Sequence, residues 1–188
     1  MPIGSARSEL VRRRRVDANR GSFLKVLGID PGIAATGYGM VIKKGGKMSM
    51  GPFGSITTPA DCGLPSRLEM IYTDVQSLLR ELSPDVAVVE QLFFNTNLKT
   101  AVEVGEARGV IMLACSHLKV RCEEYTPLQV KQAVVGNGNA SKEQVAYMVG
   151  ALLGFDSKGV SHHACDALAL ALCHLHHASL VERVDKAK

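Results

Sequence analysis

The sequence predicts an α/β fold: a mixed five-stranded sheet, an antiparallel meander continued by parallel strands, with helices on both faces. Three observations predict it. Three strand-like runs between residues 23 and 56 are joined by turns too short for a crossover helix, which makes them antiparallel neighbours. Beyond residue 64, short apolar runs alternate with longer stretches of helical spacing, as strand–helix units do. Two runs, Val26-Leu-Gly-Ile-Asp30 and Val86-Ala-Val-Val-Glu90, stay apolar until a terminal carboxylate, the pattern of strands buried on both faces.

Residues 23–30 form the first expected strand. Asp30-Pro31-Gly32 turns the chain, residues 36–43 return as a second strand, Lys44-Gly-Gly-Lys47 makes a hairpin turn, and residues 48–56 are a third strand. After a loop over 57–63, Leu68, Ile71, Val75, Leu78, Leu79 and Leu82 recur at helical spacing from 64 to 82, and Ser83-Pro84 breaks that helix. Residues 85–90 are a buried strand and 91–98 a polar loop holding Phe93 and Phe94. The helix expected over 100–117 carries Ala101, Gly105, Ala107, Gly109 and Ala114, a face small enough for tight internal packing or a seam between two copies. Residues 119–125 are the fifth strand. Thr126-Pro127 opens a short helix, Ser141 caps another through 153, and a last helix covers 163–177. No internal repeat is present.

One domain is expected for 188 residues, because domains usually hold about 100–200. It spans 23–180, between a basic arm at 1–22 and a polar tail at 181–188. The arm is Arg-rich and aperiodic, which predicts flexibility. Residues 1–25 carry seven basic and two acidic residues, whereas the rest carries 15 basic and 16 acidic. The overall charge of +4 thus belongs to the arm, and nucleic-acid binding by the near-neutral body must use local patches. Arg12–Arg15 read either as a phosphate-binding arm or as a solvated extension. Glu9 and Asp17 weaken a mitochondrial presequence, and no apolar stretch follows the basic run as in a secretory signal. No apolar run approaches the roughly 18 residues of a membrane span. Five cysteines, Cys62, Cys115, Cys122, Cys165 and Cys173, are odd in number without C-x-x-C spacing, which favours reduced thiols inside a cell.

Two buried strands therefore end in carboxylates, Asp30 and Glu90. The last helix opens with His162-His-Ala-Cys-Asp166, placing His163 and Asp166 on one helical face. Each acid alone has a plain structural explanation: Asp30 in turn chemistry, Glu90 in an ion pair, Asp166 near a helix N-terminus. Together they form an oxygen-rich set suited to Mg²⁺ or Mn²⁺, and paired divalent ions suit displacement at phosphate.

The motifs Gly28-Ile-Asp-Pro-Gly32, Thr36-Gly-Tyr-Gly39, Val89-Glu-Gln91, Gln129-Val-Lys-Gln-Ala-Val-Val-Gly136 and Ala164-Cys-Asp-Ala-Leu-Ala169 stand in that order. In this the chain resembles the RuvC family of bacterial Holliday junction resolvases, over about residues 23–176. The resemblance implies an RNase H-like fold, a cytoplasmic homodimer, and two symmetric Mg²⁺-dependent cuts in four-way junction DNA, with Mn²⁺ as a substitute and two ions per site. It implies a catalytic and metal-binding quartet of Asp30, Glu90, His163 and Asp166, with histidine where many members carry aspartate. Phe93 matches an aromatic that stacks on bases at the crossover, and Phe94 is left as a loop anchor. Lys131 and Lys142 match DNA-binding residues; Lys142 sits in a helix's first turn, where a cation opposes the dipole. Lys99, Arg108 and the arm are weaker candidates for backbone contact. A branch-migration complex of RuvA and RuvB type is the implied partner. His174, His176 and His177 read as a solvated helix end rather than a zinc site. An actin-like ATPase, an RNA-directed nuclease of the same fold and a junction binder without catalysis are the alternatives.

Overall fold

The computed structural model describes residues 23–91 and 98–186. In chain order the elements are β1 (Phe23–Asp30), β2 (Ala35–Lys44), β3 (Lys47–Thr57), α1 (Leu64–Leu82), β4 (Val86–Glu90), α2 (Leu98–His117), β5 (Arg121–Tyr125), α3 (Pro127–Val135), α4 (Lys142–Leu153) and α5 (His162–Lys186). The sheet order is β3-β2-β1-β4-β5. β1, β2 and β3 pair antiparallel, and β4 lies parallel to β1 and β5 to β4. This is the mixed five-stranded sheet that the sequence predicts.

Local chemistry sets most boundaries. Gly45 and Gly46 both take positive φ, 53° and 84°, as a two-residue hairpin turn between Lys44 and Lys47 requires. Opposite Met40 the edge strand β3 carries two residues, Gly51 and Pro52, where the register shifts. A bulge on an edge is where a strand tolerates proline. Thr126 and Ser141 begin α3 and α4 with capping boxes completed by Gln129 and Gln144. β5 starts two residues later than predicted because Lys119, at φ 59°, closes α2 in a left-handed cap while Val120 N–H donates to the Cys115 carbonyl. The last helix continues to Lys186 rather than ending at 177.

Strand alternation divides the core into two. Val26, Val41, Val86 and Val88 face α3, α4 and α5, meeting Val130, Val134, Val145, Val149, Leu168 and Leu172. Leu27, Ile29, Met40, Ala87 and Val89 face α1 and α2, meeting Ile71, Val75, Leu79, Ala107 and Ile111. The small-residue side of α2 is thus partly spent inward, through Ala107 and Ala114.

Helix α5 lies directly on the sheet. A Cβ on Gly28 would be driven into the Ala167 carbonyl, one on Gly37 into the His163 carbonyl, and one on Gly39 into the Leu168 side chain. Gly28 and Gly39 are register partners, as are Asp30 and Gly37, so three glycines on one face form the bed of the helix. The backbone contact at Gly28 cannot relax by rotation of a side chain. Gly28→Ala should therefore destabilise the protein by about 2–3 kcal/mol, and Gly39→Ala, which meets mainly the Leu168 side chain, should cost less. Urea unfolding of both variants checks the order.

Candidate active site

β1 and β4 run in parallel with Ile29 opposite Val89, so Asp30 and Glu90 leave the sheet side by side, one residue further on. By alternation both fall on the face that carries Val26, Gly28, Val86 and Val88, the face covered by α5. Gly37, the register partner of Asp30, lies beneath the His163 carbonyl, so the first turn of α5 starts over the same point. There His163 Nδ1 is 2.7 Å from Asp30 Oδ2. Asp166, three residues along, faces the same way. Lys142 at the start of α4 reaches Asp166 Oδ2 at 3.5 Å. The start of α5 is held as well: Ser161 Oγ accepts from Ala164 N–H and meets the Ser55 hydroxyl at 3.0 Å.

The acids sit in one field. Burial pushes the Glu90 carboxyl up to about 7, and the neighbouring charges of Asp30 and Asp166 add to that while Lys142 opposes it. Burial also raises Asp30, the hydrogen bond to His163 works against the rise, and Asp166 adds to it. The Asp30 side chain keeps only 13% of its exposure, whereas His163 keeps 49%, so the carboxylate is desolvated and the imidazole is reachable. With Asp30 ionised, His163 donates from Nδ1, and among the described residues Nε2 has no hydrogen-bond partner. Among the described residues no three His, Cys, Asp or Glu side chains are gathered as a preformed metal cluster; Asp30 is partnered by His163 and Asp166 by Lys142. The donor chemistry nevertheless fits a hard divalent cation, since carboxylates from three elements disturb one another's ionisation and a cation relieves that.

The family described as crossover junction endodeoxyribonuclease RuvC matches residues 26–174. A relative of that name from Syntrophomonas wolfei is 48% identical over 153 residues, covering 81% of this chain and 89% of the relative. The chain belongs to the RuvC family. A second relative, the RuvC of Natranaerobius thermophilus, is 50% identical over 149 residues, 79% of this chain and 92% of its own. The structure of Thermus thermophilus RuvC in complex with a Holliday junction substrate matches with a TM-score of 0.78 and 36% identity, over 84% of this chain and 96% of that one. The sheet and its helices are thus those of the RNase H-like RuvC fold. The yeast mitochondrial Holliday junction resolvase, at 15% identity and a TM-score of 0.65, shares the fold.

The remaining candidate residues divide. Phe93, Phe94 and the arginines of the arm lie outside the described residues, and the side chain of Lys99 is not described. Lys131 lies on α3, partly exposed, with no ion pair among the described residues. Arg108 is committed to Glu124 and is not free for a DNA backbone. Lys142 has a carboxylate partner to offset its unfavourable place at a helix N-terminus. The histidine tract is not a solvated end: His174 is buried with Nδ1 3.0 Å from the Tyr125 hydroxyl, His177 stacks on Tyr125, and His176 Nδ1 donates to the Ala133 carbonyl. The five cysteines are free. No described helix is long and apolar enough to cross a membrane.

The Glu90 environment predicts a pH dependence. Its folded value, about 7, lies above its ordinary 4.5, so the folded chain holds the proton more tightly than the unfolded one. That contribution is fully present below pH 4.5 and is lost as pH rises through 7. In EDTA, Glu90→Gln should exceed wild type in stability by about 3 kcal/mol at pH 8, with the gap shrinking below about 1 kcal/mol at pH 5. Urea unfolding at the two pH values measures it, and a gap independent of pH would refute the assignment.

Proposed function

We propose that this protein is a structure-specific endonuclease that resolves four-way DNA junctions by two symmetric phosphodiester cleavages during recombination and repair. The observation that carries the reading is at one end of the sheet, where His163 bonds Asp30 and the charges of Asp30 and Asp166 act on the buried Glu90, in a chain of the RuvC family. Its relatives are named crossover junction endodeoxyribonucleases, and the T. thermophilus protein was solved with a Holliday junction substrate. The opening of α5, Cys165-Asp-Ala-Leu-Ala-Leu170, lacks the second glycine-rich loop an actin-like ATPase needs.

Asp30, Glu90 and Asp166 are the residues we assign to Mg²⁺, with Mn²⁺ as a substitute and two ions per site; when bound, such ions acidify water and neutralise charge at the phosphate. The chain's own groups do the rest. Burial of Asp30 and Glu90 keeps bulk water from screening their field. His163, held at Nδ1 by Asp30, presents Nε2 for proton exchange with the attacking water or the departing oxygen. Lys142 is 71% exposed in its pair with Asp166. Such a surface pair is worth only about 0–1 kcal/mol, so the lysine can exchange the carboxylate for a DNA phosphate at little cost. Lys131 supplies a second phosphate contact, and Phe93 stacks on bases where the strands cross.

Two symmetric cuts call for two sites related by a two-fold axis. Val102 and Leu113 of α2 are about half exposed and give a second copy an apolar surface. A branch-migration complex of RuvA and RuvB type is the partner that would bring junctions to the dimer, in the cytoplasm.

On a synthetic four-way junction with Mg²⁺, Asp30→Asn should lower the cleavage rate by at least about 10²–10⁴-fold while gel-shift affinity for the junction stays within a few-fold. A variant that cuts at the wild-type rate would remove Asp30 from the site. In a thermal-unfolding series without DNA, Mg²⁺ or Mn²⁺ should raise the wild-type midpoint, by the equivalent of about 2.7 kcal/mol at 100 times the dissociation constant. Asp30→Asn should lose most of that shift; an equal shift in both proteins would place the cation elsewhere.

A further inference from the structure

Among the described residues three polar side chains are buried: Thr36, Thr58 and His174. Two of them serve one short turn, residues 31–34, which follows Asp30 directly. Thr36 Oγ1 donates to the Gly32 carbonyl at 2.8 Å and receives the Gly32 N–H at 3.4 Å. Thr58 Oγ1 donates to the Ile33 carbonyl at 2.6 Å, and its backbone N–H donates to the Ala34 carbonyl at 3.2 Å. Behind Thr58 stands Arg67 of α1, whose Nε donates to Thr58 Oγ1 at 2.7 Å.

The direction of this chain of bonds is fixed. A guanidinium can only donate, so Thr58 Oγ1 must accept from Arg67 and spend its single proton on Ile33. A charged donor at the head strengthens the bond behind it. Arg67 in turn is held by its helix, which is anchored on the sheet through Ile71, Val75 and Leu79. The β1–β2 pairing, which runs to Asp30 opposite Gly37, and the Thr36 bonds already close the turn locally. The Arg67–Thr58 link comes from another layer and ties the tip of the turn to α1. Asp30 therefore has a fixed α5 on one side and a fixed turn on the other.

We infer that Thr58 and Arg67 are positioning residues for Asp30: they hold the turn after it so that its carboxylate keeps the alignment cleavage needs. The inference rests on the reading of Asp30 as a catalytic carboxylate. A reacting group displaced by about 1 Å can lose about 10²-fold in rate, whereas junction binding over a wide surface does not depend on that alignment.

The test uses the full chain, Mg²⁺ and a synthetic four-way junction, at a temperature well below each variant's thermal midpoint. Thr58→Val, of nearly the same shape without the hydroxyl, should lower kcat about tenfold or more with KM and junction affinity within twofold. Thr58→Ser, which restores the hydroxyl, should recover kcat to within about threefold of wild type. Arg67→Met leaves Thr58 on Ile33 without its donor, should give a smaller kcat loss at unchanged KM, and decides the matter if Thr58→Val fails to fold. Wild-type kcat in the folded variants overturns the inference, and so does a raised KM with unchanged kcat. Asp30→Asn in the same assay separates the two levels. If it cuts normally, the reading of the site fails. If it is inactive while Thr58→Val cuts like wild type, only the positioning role fails.

Discussion

Everything at the site depends on how closely α5 lies on β1 and β2. Main chain touches main chain at Gly28–Ala167 and Gly37–His163, and backbone in contact with backbone leaves little freedom to slide or tilt. The helix delivers His163 and Asp166, while the strand beneath delivers Asp30. Their spacing is therefore set by three missing side chains rather than by the chemical residues themselves. Leu168, Leu172 and Leu175, all fully buried on the same helix, give the apolar contact that keeps it down. The site is built on rigid elements, as its chemistry demands.

That rigidity brings electrostatic discomfort. Two desolvated carboxylates with a third beside them are unfavourable when unaccompanied, and Glu90 registers this in its raised value. The protein blunts the repulsion with groups already present, an imidazole on Asp30 and an ammonium on Asp166. Neither is a deep commitment, since His163 and Lys142 are both substantially exposed. The two hydrophobic cores supply the stability that lets such a cluster persist at one edge of the fold.

Much of this was legible in the sequence because it follows from periodicity and turn chemistry. The apolar runs before Asp30 and Glu90, the Gly45-Gly46 turn and the caps at Thr126 and Ser141 are local signals, and the elements formed where those signals stand. Neighbouring parallel strands then had to bring the two acids together. What stayed hidden depends on partners distant along the chain. Nothing near Lys142 announces Asp166, 24 residues away. Nothing near Thr58 announces Ile33. The histidine tract reads as solvated from sequence because its residues are polar and lie near a helix end. Tyr125 and the Ala133 carbonyl, which satisfy His174 and His176, come from other elements. Gly37 and Gly39 were visible as a motif, but their purpose appears only once α5 is seen lying over them.

The bulge at Gly51-Pro52 has a consequence beyond accommodating a proline. It sits on β3, one outer margin of the sheet, and disrupts the row of backbone donors and acceptors that an incoming strand would need. The opposite margin, β5, carries Arg121, Glu123 and Glu124 along five residues, and charge of that density likewise discourages strand addition. A sheet blunted at both margins resists growing sideways into fibres. It also leaves recognition to side chains on helices and loops, where contact can be made and released without opening the fold.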